Sequence, residues 1–305
     1  MSTRITNDMV IGSTLADINS AQLAMARTQS ELSSGKSILE PSDNPYGASQ
    51  AIALQSSIDG LTSYEKSVQD GVSWMNTSSS GLASIDSQVQ RVRELVLQGA
   101  NEINSPTDLA NIAAEVAQLA EGVKQDANTQ YAGQYVFSGT LTNTPPYQPG
   151  AGKDAYQGNA GAVFRAISPA SSVNVSVNLA SVLGNGAEPG DGKLLDTLRT
   201  IAKNLQEGTP AAIEALRTTD LKTLDTNLNN LTGLQAEAGA VTDQLDVAAS
   251  RIQALHNTAA QQLSNVQDAN IAKVSIEFSN EHAAFEAALR AGASIVQESL
   301  LEFLH

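Results

Sequence analysis

Apolar and small residues recur at Val241, Leu245, Ala248, Ile252, Leu255 and Ala259, in alternating steps of four and three. This is the spacing of a coiled-coil seam. Gln262 interrupts it, and Val266 and Ala269 resume it. Ile276, Phe285, Leu289, Ile295, Val296, Leu300 and Phe303 then carry an apolar stripe almost to the C-terminus. Pro210 is the last proline, and Gly233, Gly239 and Gly292 are the only glycines beyond it. The pattern predicts one helix from Val241 to Leu304, roughly 96 Å long at 1.5 Å per residue. An ordinary globular helix has about 11–12 residues, so this stripe needs a partner of unusual length, from the rest of the chain or from other chains.

The N-terminal segment mirrors it. Ile11, Leu15, Ile18, Gln22, Met25, Gln29 and Leu32 keep the same spacing. Ser33-Ser34-Gly35 stops the helix, with Gly35 suited to the left-handed C-cap and Lys36 to a helix C-terminus. Pro41 and Pro45 forbid a continuous helix through the next stretch. Asn44 followed by Pro45 has the form of an N-cap with proline at the first helical position.

A second long helix is expected from about Tyr46 to Asn104, on the stripe Leu54, Ile58, Leu61, Val68, Val72, Met75, Leu82, Ile85, Val89, Val92, Val96 and Ile103. Ser105-Pro106-Thr107 breaks it. A third helix, on Leu109, Ile112, Val116, Leu119 and Val123, runs to about Tyr131, antiparallel to the second because the connection is short. The pattern changes at Gly133. Residues 134–139, 162–167 and 173–177 read as strands in a segment rich in proline and glycine. Leu194, Leu195, Leu198, Ile201 and Leu205 bring a helix back, and Gly208-Thr209-Pro210 ends it.

The fold class expected is therefore mainly α, with long terminal helices paired as an α-helical coiled coil or bundle and a small β-rich insert mid-chain. Three segments are expected: 1–45 with 265–305 as a terminal coiled-coil domain, 46–132 with 191–264 as a helical bundle, and 133–190 as the insert.

Composition sharpens this. Aromatic residues are 4% and charged residues 16% of 305. So few charges leave an outer helix face of Ser, Thr, Gln, Asn and Ala, which is desolvated at small cost on meeting another protein. A formal net charge of −15, without a Lys/Arg cluster, argues against nucleic acid and against an anionic membrane surface. Without cysteine, disulfide and thiolate chemistry is excluded. No apolar run is long enough to span a membrane, and no cleavable signal peptide is visible.

Candidate chemistry is sparse. His256, His282 and His305 stand at no metal-ligand spacing. Gly150-Ala151-Gly152-Lys153-Asp154 resembles the end of a phosphate loop, but Tyr147 stands where the first glycine should be, and Asp154 stands where Ser or Thr should be. Asn76, Asn174 and Asn230 head glycosylation triplets, a pattern frequent by chance. No catalytic constellation, cofactor site or metal site is expected, and the chain is not read as an enzyme.

Several stretches carry a family likeness. MSTRITN (1–7) precedes an amphipathic helix, and ELSSGK (31–36) is followed by Pro41-Ser42-Asp43-Asn44-Pro45 and Ala48-Ser49-Gln50-Ala51. GQYVFSG (133–139) precedes the insert, Tyr156-Gln157-Gly158 opens it and GKLLDTL (192–198) follows it. Asp268-Ala269-Asn270-Ile271-Ala272 lies near the C-terminus. In this order the motifs resemble the bacterial flagellin superfamily, and within it the subunits of the hook–filament junction. Asn44 departs from the usual Asp-Asp-Pro and Ile271 from the usual tyrosine.

The resemblance implies a secreted structural subunit of the flagellum, exported without a cleavable signal peptide and bound by an export chaperone through its C-terminal helix. It implies a homo-oligomeric ring, with another hook-associated protein on the hook side and flagellin or another junction subunit on the filament side. Alternatives are a flagellin filament subunit and, in a different class, a cytoplasmic helical scaffold or signalling protein. On this reading the working residues are apolar: Ile11, Leu15, Ile18, Met25 and Leu32 face Ile276, Phe285, Leu289, Val296 and Leu300, and with Ile295 and Phe303 they form the assembly interface.

Overall fold

The structure is a computed structural model that describes residues 7–101, 104–150, 152–186 and 190–303, with side chains described for all of these except 7, 8, 10 and 295–303. Ile103, His305 and the first six residues of the N-terminal motif lie outside the described residues. The chain divides into two compact units, Met1–Gly60 with Leu255–His305, and Leu61–Ala254.

The first unit holds α1 (Asn7–Ser34), the start of α2 (Pro45–Gly99), the end of α7 (Leu221–Gln267) and α8 (Ile271–Phe303). Helix α1 stops at the serine pair, where Gly35 takes φ +69°, a backbone geometry that only glycine adopts without strain. Helix α2 starts at Pro45, with the Asn44 side chain accepting the Gly47 N–H at 2.9 Å.

The unbroken helix expected from Val241 to Leu304 is not found. Helix α7 begins earlier, at Leu221, and α8 is a separate helix from Ile271. Asp268 closes the last turn of α7 on Ser264. Asn270 caps α8 by accepting the Lys273 N–H at 3.1 Å. Asp and Asn offer the backbone a side-chain partner and so favour helix ends over helix interiors. Heptad spacing alone had absorbed Ala269 into the seam.

The second unit packs the rest of α2 against α3 (Pro106–Ala127), α5 (Leu194–Glu207), α6 (Pro210–Ala215) and α7. Helix α3 opens with a capping box in which Ser105 and Asp108 satisfy each other's backbone N–H, two donors that the first helical turn cannot pair. It runs antiparallel to α2, as Gln88 meets Asp126 and Arg91 meets Glu115. Helix α2 buries Val68, Met75, Leu82, Ile85, Val89, Val92 and Val96. Helix α7 turns Leu224, Leu231, Ala238, Leu245 and Ile252 inward at seven-residue spacing. Between α6 and α7 the chain makes one π-helical turn, Leu216–Asp220. This wider turn accommodates one extra residue, so Leu216 and Leu224, eight apart, are both fully buried.

The insert belongs to the second unit and shares its core through Val136, Phe137, Tyr147, Val173 and Val175. It holds two small antiparallel sheets, β1 (Gln130–Tyr131) with β2 (Gln134–Tyr135), and β3 (Phe164–Ser168) with β4 (Ser171–Asn174), followed by α4 (Ala180–Leu183). The strand expected over 134–139 ends after Tyr135. Gly133 and Gly139 take φ +80° and +64°, and the turn they bracket sends the consecutive Val136 and Phe137 both into the core. A strand would have pointed these two to opposite faces.

Candidate assembly interface

Helices α1 and α8 pair antiparallel. Lys36 lies opposite Asp268, and Thr28 donates to Glu281 at 2.6 Å. Gly292 lies against Ile18 and Thr14, so that a Cβ there would sit 3.0 Å from Ile18 Cδ1 and 3.4 Å from Thr14 Cγ2. On α1 the inward positions are Ile11, Thr14, Ile18, Ala21, Met25, Thr28 and Leu32. On α8 they are Val274, Phe278, Glu281, Phe285, Ala288 and Gly292. Both sets alternate steps of three and four, the geometry by which one helix seats its knobs between four residues of another.

Half of the expected α1 seam is in place: Ile11, Ile18, Met25 and Leu32 are partly buried. The other half is displaced by one residue, since Thr14, Ala21 and Thr28 occupy the positions assigned to Leu15, Gln22 and Gln29. Leu15 is 61% exposed. On α8, Phe285 is partly buried, whereas Ile276 (64%) and Leu289 (45%) are exposed. The side chains of Ile295, Val296, Leu300 and Phe303 lie outside the described residues. A rule that prefers the larger aliphatic residue at each step picks Leu15 over Thr14. The structure places Thr14 and Thr28 there instead; the Thr28 hydroxyl gives its one proton to Glu281 across the seam, with the Met25 and Ala24 carbonyls of its own helix as alternative acceptors at 3.1 and 3.3 Å.

A second stripe on α1 has no partner helix in this pairing. Met9, Gly12, Ala16, Asn19, Leu23 and Ala26 follow the same three–four rhythm on the opposite face, all exposed and none charged; Met9 and Leu23 are each 64% exposed. On α8, Ile276, Asn280, Ala283, Ala287 and Ala291 form a comparable uncharged exposed face. Along α8, Lys273 pairs with Glu277 at 3.4 Å, and Glu286 lies 3.7 Å from both His282 and Arg290. Such exposed pairs contribute little to stability. Near the C-terminal end of α1, Arg27 bridges Glu31 at 3.1 Å and Asp43 at 3.2 Å. Backbone N–H groups of Glu40 and Leu39 hold the Asp43 carboxyl below its ordinary pKa, with Arg27 adding to the effect.

In the second unit the insert is anchored by residues that no sequence motif marked. Lys124, with a side chain 2% exposed, reaches Glu121 at 2.7 Å, the Gly150 carbonyl at 2.8 Å and Asp154 at 3.2 Å. Arg199 pairs with the same Asp154. The phosphate-loop lookalike is thus a turn held to α3 and α5. Asn128 clamps the Tyr147 backbone, donating to its carbonyl at 2.7 Å and accepting its N–H at 3.0 Å. Arg165 on β3 lies 5.5 Å over the Trp74 ring and pairs with Asp70 at 2.7 Å, tying the hairpin to α2. Among the described residues no group of three His, Cys, Asp or Glu could hold a metal ion. No described helix is long and apolar enough to cross a membrane.

The profile of the bacterial flagellin N-terminal helical region matches residues 5–142. The chain is 27% identical to a flagellin of Bacillus subtilis (strain 168), over 99% of each protein. It is 24% identical to flagellar hook-associated protein 3 of Escherichia coli (strain K12), over 80% of this chain and 81% of that one. Its fold is similar to that of the flagellar junction protein FlgL from Legionella pneumophila, with a TM-score of 0.59 at 16% identity, covering 72% of this chain and 99% of that one. The chain thus resembles the bacterial flagellins in sequence, through its N-terminal helical region, and the flagellar junction proteins in fold.

Proposed function

We infer that this chain is a structural subunit of the bacterial flagellum, set at the junction between hook and filament. The observation that carries this is the exposed, uncharged second stripe of α1, Met9 to Ala26, on a helix whose other face is already used by α8. Apolar area of this kind on a solvated helix marks an interaction surface. The fold likeness to a junction protein and the sequence likeness to hook-associated protein 3 support the position in the flagellum. In this reading the α1–α8 pair first zips within the subunit, and its outer faces then dock on neighbouring subunits. Ile11, Ile18, Met25, Leu32 and Phe285 serve the first step. Leu15, Leu23, Ile276 and Leu289 serve the second, with Ile295, Val296, Leu300 and Phe303 extending the interface. The segments 1–45 and 265–305 are the assembling part of the subunit, and the second unit is a non-catalytic body.

The same reading places the protein outside the cell after export, in a ring of identical subunits. Another hook-associated protein lies on the hook side and flagellin or a further junction subunit on the filament side. A chaperone shields the C-terminal helix before export. Deleting the protein should leave hooks without filaments, and complementation should restore filaments; filaments of normal length in the deletion strain would refute it.

A second reading, a filament-forming flagellin, is favoured by the full-length likeness to the Bacillus subtilis protein. Electron microscopy of the purified protein separates the two. Long filaments grown from this protein alone identify a flagellin, and growth only on neighbouring axial proteins identifies a junction subunit.

A further inference from the structure

In the first unit both helical runs are interrupted at one level. Helix α1 ends at Ser34 and α2 begins at Pro45, while α7 ends at Gln267 and α8 begins at Ile271. An interruption in a single helix is an ordinary hinge, where a few residues absorb the change in φ and ψ. Here the two interruptions are sewn together. The Ser37 N–H donates to the Gln267 carbonyl at 2.7 Å, and the Ala269 N–H donates to the Gly35 carbonyl at 2.9 Å. The Ser37 hydroxyl adds a second bond to the same Gln267 carbonyl at 3.1 Å. Lys36 and Asp268 sit between these bonds as a directly opposed antiparallel pair.

We propose that residues 35–37 and 267–269 form one coupled joint, so that α1 and α8 reorient only as a pair against the α2 and α7 segments of the same unit. The Gln267 and Gly35 carbonyls lie at the ends of α7 and α1, and the Ala269 N–H lies just before the start of α8. A carbonyl at the end of a helix has no intrahelical donor, and an N–H at the start of one has no intrahelical acceptor. Gln267, Gly35, Ser37 and Ala269 are all partly buried, so opening one interruption alone strands backbone groups where water reaches them poorly. Each side is stiffened as well. The Thr28–Glu281 bond holds α1 to α8 beyond the stitch, seven residues away on α1 and twelve on α8. Asp43 accepts the Leu39 and Glu40 N–H groups at 3.0 Å each and pairs with Arg27, which fastens the turn between α1 and α2 back onto α1. A subunit built this way presents the outer faces of α1 and α8 in fixed relation to each other whatever angle the pair takes.

The test uses the full chain and amide hydrogen exchange, and does not depend on the flagellar reading. The chain has no cysteine, so Lys36→Cys with Asp268→Cys gives one designed disulfide. The opposed, non-hydrogen-bonded position brings Cα atoms to about 4.5 Å, within the range a disulfide spans. The expected result is ready oxidation with unchanged exchange through 30–40 and 264–275, because the lock joins segments that do not part. Strong slowing in the oxidised form would overturn the proposal, since it means the interruptions open separately. Ala269→Pro removes one stitch donor. It should speed exchange at both 34–38 and 268–274 by roughly tenfold, whereas acceleration on the 268–274 side alone would overturn coupling. Adding the oxidised cysteine pair to Ala269→Pro should restore protection on both sides; failure to restore it also overturns the proposal.

Discussion

Thr28 on α1 donates its hydroxyl proton to the Glu281 carboxylate on α8 across 2.6 Å, at a point where Thr28 is buried. A carboxylate in a helix seam is tolerated only with a donor opposite it. Thr28→Val keeps the side-chain shape and removes that donor. The pairing of α1 with α8 should weaken by about 1.5–3 kcal/mol, the usual worth of a hydrogen bond to a charged group. Amide exchange should rise in residues 24–32 and 277–285 and stay unchanged in the second unit.

The two faces of α1 should separate under mutation. Ile18→Asp places a charge in the seam beside Gly292 and should lower helicity and protection in both terminal helices. Leu23→Asp alters an exposed position, so circular dichroism and exchange of the isolated subunit should stay normal. Its incorporation into flagellar assemblies, followed by pelleting and electron microscopy, should be lost. Normal incorporation of the Leu23 variant would remove the outer stripe from the interface.

Lys124 is a buried cation ringed by Glu121, Asp154 and the Gly150 carbonyl. Lys124→Met leaves Asp154 short of a partner in the interior, and the second unit should lose about 3–5 kcal/mol, as when one member of a buried pair is removed. Urea denaturation followed by Trp74 fluorescence reads this, since Trp74 is fully buried in that unit.

The Asp43 carboxyl titrates below the ordinary aspartate range because Glu40 and Leu39 donate their backbone N–H groups to it. A group depressed in the folded state contributes stability above its unfolded pKa and loses it as pH falls through the folded value. The turn over residues 39–43 should therefore stay closed at neutral pH and loosen only on acidification below the ordinary aspartate range. NMR titration of the Leu39 and Glu40 amides should follow Asp43 itself. Asp43→Asn should show no such acid transition.

Much of this fold is readable from residue spacing. Gly35, Asn44-Pro45, Ser105-Pro106 and Gly208-Thr209-Pro210 mark helix ends where the structure has them, because cap and proline chemistry is local. The break at Asp268–Asn270 was hidden because its partner, Gly35 to Ser37, is more than two hundred residues away in sequence. The seam was half readable for a similar reason. Ile11, Ile18, Met25 and Leu32 declare themselves by hydrophobicity, but Thr14, Thr28 and Glu281 occupy seam positions only because each finds a bond or a close neighbour there. The Lys124 anchor was illegible, since nothing in one sequence says which of many scattered charges will be buried. GQYVFSG misled as a strand because β propensity describes half-buried pleated surfaces, and this stretch is a turn with adjacent side chains buried.

The π-helical turn at Leu216–Asp220 has a bearing on how this chain can change length. Each residue added to or removed from an ordinary helix swings everything after it by about 100°. The wide turn takes up one such residue within a few positions, so Leu224 and the residues that follow it at seven-residue spacing stay on the buried side with Leu216. The site thus works as an angular gear, where one extra residue leaves the long helix that follows correctly aimed.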